Sequence, residues 1–349
     1  MTDERRITTE DGSTLEPTAG PRAQVAADDA ALLQGGRLSG GILPADHTPL
    51  QGPEGGDVQV VASGWRLAVR EFTDNRFAVI ALAILVFFLL FSFVGPLIDH
   101  ANTTLANPLA ANLSPGAANP MGGHAGPLGT DENGFDELRR MMLGGQASFE
   151  VGAFAALIAT VIGTLYGAIS GLIGGFVDGL MMRFVDMLLS IPFLFVVLVL
   201  ATKYNGTVPE ISIVLGVFSW LVPARLVRGE VLTLRERDFV QAAEVMGSGR
   251  WRIIYKHLIP NALSVTIVNV TFLIADSILY LSYLGFLGFG LSFPLTSWGD
   301  MLGNAEQYVQ NGEWWLVYPV GACLVIVVLA CNMVGDALRD AMDVRLRRR

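Results

Sequence analysis

The residues best suited to a specific contact with another molecule lie in one polar segment, residues 228–260. Its sequence is RGEVLTLRERDFVQAAEVMGSGRWRIIYKHLIP, and apolar stretches lie on both sides of it. Apolar residues recur in it at the spacing of one helix face, namely Phe239, Ala242, Ala243 and Met246. Gly247 predicts the end of that helix, and a second amphipathic stretch leads to Pro260. An amphipathic helix–turn–helix of this kind needs something to cover its apolar face.

Other chemistry is not expected from this chain. Its two lysines, Lys203 and Lys256, do not follow the glycine pattern of a phosphate-binding loop, so ATP cannot be held in that way. The four histidines are scattered, and Cys323 and Cys331 lie in an apolar run, so no metal-ligand spacing or disulfide framework is recognisable. We predict no catalytic residue, no metal site and no cofactor. Energy must then come from a partner protein or an ion gradient.

The composition is that of a membrane protein. Hydrophobic residues make up 52% of the 349 residues and charged residues only 16%. The net charge of −9 lies mostly in residues 1–64, which contain few large apolar side chains. We interpret this stretch as a disordered cytoplasmic tail, with a regulatory role as the alternative.

Six apolar stretches are long enough to predict membrane spans. They are Phe77–Leu97 and, approximately, residues 151–173, 187–200, 211–224, 265–287 and 316–334. With the N-terminus inside, sixteen basic residues lie on the inner side and three on the outer side. The positive-inside rule therefore predicts that both termini are cytoplasmic.

Two features inside the predicted spans indicate helix packing or a translocation path. Small residues recur every fourth position in the second span, among them Gly163, Gly167 and Gly171. Such a stripe allows close helix approach, either within the subunit or towards another subunit. Asp276 is an acid well inside the fifth span, where a charge is costly. We interpret Asp276, together with Ser282, as candidate translocation-path residues, with helix packing as the alternative for Asp276.

The polar segment resembles the EAA loop of ABC-importer permeases, which reads E-A-A-x-x-x-G, nine residues, then I-x-L-P. Here the run is Gln241-Ala242-Ala243, then Gly247, then His257-Leu258-Ile259-Pro260, with Gln in place of the usual Glu. In that family the loop forms a coupling helix in a cleft of the ATPase subunit. The resemblance therefore implies ATPase-coupling roles for Gln241, Ala242, Ala243, Gly247, Arg250, His257 and Pro260. Arg250 can also pair with lipid phosphates.

A second motif resembles the "C" subunit of dipeptide and oligopeptide permeases. Their G-T-D-E-x-G-R-D segment corresponds to Gly129, Thr130, Asp131, Glu132, Gly134, Phe135 and Asp136, where Phe135 replaces the usual Arg. Gln146 also replaces a customary Arg. The runs Leu281–Gly285, Ser297–Gly299 and Gly335–Asp340 follow in the same order. The resemblance covers about residues 65–349.

The resemblance implies an all-α polytopic membrane protein with six transmembrane helices and the type I importer (MetI-like) permease fold. Its parts would be a first-span segment at 65–98, an external loop at 99–148, a core at 149–337 with a coupling loop at 225–262, and a basic cytoplasmic C-terminus at 338–349. It would be the permease subunit of an ATP-driven importer for di- or oligopeptides in the bacterial cytoplasmic membrane.

The implied partners are a second homologous permease, two ATP-binding subunits that use ATP and Mg²⁺, an extracytoplasmic substrate-binding protein and membrane lipid, with no nucleic acid. Two alternatives remain open from the residues alone. One is a permease of the same family for nickel or another small solute. The other is a secondary transporter driven by an ion gradient.

Overall fold

The computed structural model describes residues 64–99, 105–120 and 124–347. Within these ranges the chain is helical apart from irregular connections and two isolated β-bridges. Residues 1–63 of the predicted tail, and Arg348 and Arg349 of the predicted basic C-terminus, lie outside the described residues. Gly64, which was assigned to the tail, is the first residue of a helix.

The α-helices of the described ranges are numbered here in chain order. They are α1 Gly64–Asp74, α2 Arg76–Phe93, α3 Gly95–Ile98, α4 Glu137–Ile173, α5 Gly175–Leu189, α6 Phe193–Ala201, α7 Val208–Ser219, α8 Leu221–Arg235, α9 Asp238–Val245, α10 Arg250–Ile253, α11 Ile259–Phe286, α12 Trp298–Ala305 and α13 Tyr318–Arg347. A π-helical turn, Ile254–Leu258, joins α10 to α11, and short 3₁₀ turns occur at Pro108–Ala110, Glu306–Asn311 and Trp314–Leu316.

The helices account for the predicted spans. Across the described residues, four helical stretches are long and apolar enough to cross a membrane, and the bent pairs α5–α6 and α7–α8 bring the number to six if each pair is one span. The prediction of an all-α polytopic membrane protein is thereby confirmed. The first span corresponds to α2, whose first turn is capped by the Asn75 side chain accepting from the backbone N–H groups of Phe77 and Ala78.

The second span is much longer than predicted. Helix α4 has 37 residues, about 55 Å at 1.5 Å per residue, whereas the hydrocarbon core is about 30 Å thick. It begins at Glu137, so its first turns lie within the stretch 99–148 that the sequence predicts as the external loop. The apolar pattern could not indicate this extension, because the first turns carry Arg139 and Arg140.

The third and fourth predicted spans each correspond to a bent pair of helices. Helices α5 and α6 meet at 72°, and the break at Ser190–Pro192 lies inside the predicted span 187–200. Helices α7 and α8 meet at 44° about Trp220, and α8 continues to Arg235 instead of ending after Pro223. Pro192 immediately precedes α6, and Pro223 lies in the first turn of α8. At both positions the missing backbone N–H costs little, because the first N–H groups of a helix have no partner within the helix.

The glycine stripe of α4 packs inside the subunit. A Cβ added to Gly163 would lie 2.6 Å from Cβ of Pro223, and one on Gly167 would lie 2.4 Å from the carbonyl oxygen of Ala224. At Gly171 the nearest atom would be Cγ1 of Val231 at 2.8 Å. The stripe is therefore the groove in which α8 lies against α4, which matches the packing interpretation and not a subunit-facing one.

Candidate functional site

Helix α9 ends in a turn that depends on Gly247. Gly247 has φ +78°, a left-handed conformation, and its backbone N–H donates to the carbonyl of Glu244 at 2.9 Å. A Cβ there would meet no atom within 4 Å, so backbone conformation and not space requires glycine. The predicted helix end is therefore observed, and the chain reverses there towards α10.

The predicted apolar stripe divides between two faces of α9. Ala243 is buried and lies beside Val240, which the stripe did not include. Val240 packs against the cluster formed by Val227, Val231, Ile253, Ile254 and Leu258. Phe239, Ala242 and Met246 remain exposed. The buried face is thus rotated from the predicted one, since the cluster beneath α9 selects Val240 and Ala243.

The exposed residues of this segment form what we call the α9–α10 surface. Its members are Phe239, Ala242, Val245, Met246, Trp251 and Tyr255. Val245 and Met246 are 89% and 79% exposed, and the rings of Trp251 and Tyr255 stack with centroids 6.3 Å apart. Large apolar groups concentrated on one exposed segment are typical of a docking surface.

The remaining predicted residues of the segment lie around this surface. Gln241 is exposed, and its Nε2 donates to the carbonyl of Glu236 at 3.2 Å. Arg250 is exposed in the first turn of α10, and the half-buried His257 ring lies 6.2 Å from that of Phe239. Pro260 begins α11, where its missing N–H removes no helical hydrogen bond. These residues therefore all lie in the segment that carries the α9–α10 surface.

The G-T-D-E motif forms a tight turn that begins α4. Thr130 and Asp136 face each other in an antiparallel bridge, and Asp136 accepts from the backbone N–H of Arg139 at 3.0 Å as the helix cap. The Thr130 hydroxyl donates to the carbonyl of Ala110 and accepts from the N–H of Leu113. The motif thus fixes the start of α4 and ties it to the preceding loop.

Both motif glycines have positive φ and closely approach other backbone. A Cβ on Gly129 (φ +76°) would lie 2.3 Å from the carbonyl oxygen of Leu113. One on Gly134 (φ +77°) would lie 2.2 Å from that of Asn107. Any side chain at either position would collide with the loop that the motif anchors.

Asp131 is the buried centre of the motif. Its Oδ1 accepts from the N–H groups of Asn133 and Phe135 at 2.9 and 2.8 Å, and its Oδ2 lies 3.4 Å from Nε of Arg140. Burial nevertheless raises the pKa of Asp131 to about 6, because it outweighs these stabilising contacts. Phe135, where relatives of this type carry Arg, is buried and lies 5.4 Å from the Arg140 guanidinium. Because Phe135 is buried, its side chain packs inside the turn.

Glu132 is partly buried and accepts from the side-chain amide of Asn133 at 3.2 Å. Gln146 lies in α4, nine residues after Glu137, and its side-chain amide donates to the Glu150 carboxylate at 3.0 Å. Neither residue approaches the α9–α10 surface, so the two predicted motifs form separate sites. The G-T-D-E motif organises the loop before α4, and the segment 228–260 exposes an apolar patch.

Two cavities follow one face of α11. The first, about 300 Å³, lies between α11 and the bends of α5–α6 and α7–α8, and Asp276 lines it. The second, about 600 Å³, lies between α8, α11 and α13, and Arg225, Glu230 and Arg339 line it. Asn269 and Phe272 line both, so the cavities adjoin. We call them the Asp276 cavity and the Arg225 cavity.

Ser282 lies elsewhere. It is buried, its hydroxyl donates to the carbonyl of Ile278 at 2.8 Å, and it lines neither cavity. A Cβ added to Gly299 would lie 2.3 Å from Cα of Ser282, so α12 is in close contact with α11 here. Asp276 and Ser282, although predicted together, are therefore not brought to the same surface.

Sequence reasoning missed an ionic contact between α5 and α8. Nε and Nη2 of Arg228 each donate to the carboxylate of Asp178 at 2.6 Å, and Ser170 also donates to it at 2.5 Å. A second pair joins Arg225 to Asp186. The sequence shows two acids and two arginines in neighbouring helices, but it does not indicate which acid pairs with which arginine.

These features define a polytopic membrane protein with a groove along one long helix and an uncovered apolar surface beyond it, as expected for a transport subunit. Residues 163–348 match the family described as "Binding-protein-dependent transport system inner membrane component". Residues 63–115 match "N-terminal TM domain of oligopeptide transport permease C". The chain therefore belongs to the family of binding-protein-dependent inner membrane transport components and is a multi-pass inner membrane protein.

Individual relatives agree with this assignment. The chain is 39% identical over 282 residues to the oligopeptide transport system permease protein OppC of Escherichia coli K12, which covers 80% of this chain and 90% of the relative. It is 34% identical over 281 residues to the dipeptide transport system permease protein DppC of Bacillus subtilis 168, covering 80% and 86%. It is 33% identical over 311 residues to DppC of Alkalihalophilus pseudofirmus, covering 87% and 100%. These names do not favour nickel as the substrate.

Proposed function

We propose that this chain is the transmembrane permease subunit of an ATP-driven importer of di- and oligopeptides. The observation that carries the proposal is the α9–α10 surface, an exposed apolar patch on a short helix that ends at Gly247. Its spacing resembles the loop through which permeases of this family contact their ATPase. The peptide substrate is inferred from relatives that are named as oligopeptide and dipeptide permeases.

ATP is used by partner subunits in this proposal. This chain contributes the docking surface, and two separate ATP-binding subunits bind and hydrolyse ATP with Mg²⁺. When they close, α9 moves with them as a rigid element. Its buried residue Val240 transmits that movement, because it belongs to the same apolar cluster as Val231 of α8 and Ile253 of α10.

The passage for the peptide is the groove beside α11, with Asp276 among its lining residues. A second homologous permease supplies the opposite wall. Bends at Trp220 and at Ser190–Pro192 border the groove, so a change at either bend alters its width. Alternating access would then follow from the movement of α8 and α9 relative to α11.

Both termini are cytoplasmic in the proposed orientation. Sixteen basic residues lie on the inner side of the predicted spans, including Arg250 and Arg252 beside the α9–α10 surface. The G-T-D-E motif then lies on the outer side. The loop that it organises faces the extracytoplasmic substrate-binding protein.

Copurification and transport test the proposal together. The chain is expressed with its operonic partners, purified and reconstituted in vesicles that contain ATP. We expect a P-loop ATPase to copurify and labelled tripeptide to accumulate only with ATP and the binding protein present. Tripeptide uptake that persists without ATP but collapses with the ion gradient would instead support a secondary transporter.

A further inference from the structure

Asp276 lines a largely apolar cavity, and the residue is exposed at the surface of this subunit. It lies about two-thirds of the way along α11 and is the only charged residue among the described residues that line the Asp276 cavity. Within the part of the chain that the structure describes, no hydrogen bond or ion pair reaches its carboxylate. A carboxylate within a membrane span is costly unless a cation or polar group accompanies it for part of its working cycle.

Aromatic residues lie beside this carboxylate. Tyr280 is one turn from Asp276 on the same face of α11, and its ring is 4.3 Å from that of Phe193 between centroids. Phe272 is one turn away in the other direction and also lines the cavity. A carboxylate flanked by aromatic rings suits an organic ammonium group, which gains both a charged hydrogen bond and cation–π contacts.

Metal binding does not fit this site. No group of three metal-ligating side chains occurs among the residues for which the structure gives positions. Asp276 would supply a single carboxylate, whereas Ca²⁺ and Mg²⁺ take six or more ligands, largely oxygen. An organic cation needs only one carboxylate and an apolar wall.

The groove continues from Asp276 towards a second cavity that contains charged side chains. Asn269, which links the two cavities, is two helical turns from Asp276, about 10 Å along α11. An extended tripeptide also spans about 10 Å. Beyond Asn269, the Arg225 cavity carries two arginines and one glutamate. A tripeptide whose ammonium group lies at Asp276 therefore reaches about as far as Asn269, where the Arg225 cavity begins.

We propose that Asp276 is a specificity-determining residue that binds the α-ammonium group of a peptide as it passes through the Asp276 cavity. The inference rests on the proposed function, since it names the part of the substrate that this site recognises. It assigns to this chain a selection for a free amino terminus, in addition to any selection by the binding protein. An N-acetylated peptide of the same sequence lacks the cation and should pass poorly.

The test compares two probes in vesicles that contain the whole transporter, its binding protein and ATP. The probes are trialanine and N-acetyl-trialanine, and the measured quantity is the ratio of their uptake rates. The binding protein is identical in all samples, so its own preference cancels between variants. We expect Asp276→Asn to lower the preference for free trialanine about tenfold, because the variant loses one charge-assisted hydrogen bond to the ammonium group. Asp276→Glu, which keeps the carboxylate, should keep the preference.

Asp74→Asn serves as the control, because Asp74 is an exposed acid at the end of α1, far in sequence from the groove. It should leave the ratio unchanged. Asp276→Ser is a second neutral variant and should lose the preference as Asp276→Asn does. Failure of both neutral variants to assemble would contradict the proposal, since the carboxylate would then serve structure.

The outcomes separate the two proposals. If the wild-type complex hydrolyses ATP but imports neither probe, the peptide function itself is wrong. If trialanine is imported and Asp276→Asn keeps the wild-type preference, only the ammonium site is wrong. Equal loss of uptake for both probes in an assembled Asp276→Asn complex also contradicts it, because Asp276 would then pair with the second permease or hold a helix in place.

Discussion

Arg228 and Asp178, fifty positions apart, form a two-pronged ion pair in which both Arg228 donors lie 2.6 Å from the carboxylate oxygens. Ser170 of α4 donates to the same carboxylate, so three helices meet at one group. The Asp178 side chain is 10% exposed and that of Arg228 is 31% exposed. The pair is therefore largely shielded from water and holds α5 against α8.

Removing either partner of this pair should destabilise the complex. Asp178→Asn or Arg228→Gln leaves a partly buried charge without its counterion, and we expect each to lower the free energy of unfolding by about 1–3 kcal/mol. The double variant should lose less than the sum of the two. Thermal unfolding of the purified complex measures all four forms. Additive losses would show that the two side chains do not act together.

The pair between Arg225 and Asp186 is a matched control. Its side chains are 48% and 58% exposed, so water screens their attraction. We expect Asp186→Asn to change the unfolding free energy by at most about 1 kcal/mol. A larger loss at this exposed pair would indicate that solvent exposure does not determine how much each of the two ion pairs contributes to stability.

The Gly167 contact predicts a second stability effect. Gly167→Ala places a methyl group against the carbonyl oxygen of Ala224, at 2.4 Å before any shift, so α8 must move away from α4. We expect a loss of about 1–3 kcal/mol in unfolding free energy, as for other overpacked contacts. Differential scanning fluorimetry of the purified protein provides the measurement.

Gly179→Ala makes the same chemical change at a position with open space. A Cβ there meets no atom within 4 Å, and the residue is exposed on α5. Its expected effect is neutral to slightly stabilising, because alanine favours a helix over glycine by about 0.5–1 kcal/mol. Equal losses at the two glycines would mean that α4 and α8 are not packed as described.

The sequence predicted features that are local and missed those that depend on distant contacts. An uninterrupted apolar run predicted the span of α2, and Gly247 predicted the end of α9, since one residue sets the backbone conformation there. The start of α4 was missed because Arg140 interrupts the apolar pattern. Its charge is tolerated through Asp131, nine positions earlier in a folded loop. The pairing of Arg228 with Asp178 had no signal in spacing, because the fold alone brings the two helices together.

The face of α9 was also beyond a periodicity argument. Four apolar residues at helical spacing indicated one stripe, but Val240 is buried and Met246 is exposed. Both residues are apolar, so hydrophobicity could not tell which side meets the subunit and which is left for a partner. The packing of α9 on α8 decides it.

Protonation of Asp131 should make the turn formed by the G-T-D-E motif pH dependent. Burial raises the pKa of Asp131 from its usual value of 3.8 to about 6 in the folded protein. A raised folded-state pKa means that the proton binds the folded form more tightly. The resulting stabilisation is therefore complete below about pH 4 and is lost as the pH rises through about 6.

Asp131→Asn removes this titration while keeping an oxygen that accepts from Asn133 and Phe135. Between pH 4 and pH 7, wild type should lose stability relative to Asp131→Asn. Hydrogen exchange of the amides of residues 129–136, compared at matched intrinsic exchange rates, reports the change locally. A constant difference between the two proteins across this range would show that folding does not raise the pKa of Asp131.

Gly247→Val should separate ATP hydrolysis from transport. Valine strongly disfavours φ +78°, so the turn after α9 must rearrange and the α9–α10 surface changes shape. Membrane insertion depends on the spans and should be unaffected. In reconstituted vesicles we expect peptide uptake to fall at least about tenfold, as one strained residue costs about 1–3 kcal/mol at the contact. ATP hydrolysis should no longer respond to the loaded binding protein.

Gly249→Ala is the matched control two positions away, because Gly249 has an extended conformation at φ −64° and open space around it. It should transport at nearly the wild-type rate. Ala243→Glu tests the same helix from its buried side, since a carboxylate at this buried position is costly and should displace α9 with the same uncoupling. Normal uptake by Gly247→Val and Ala243→Glu, with the protein correctly inserted, would show that α9 does not couple this subunit to an ATPase.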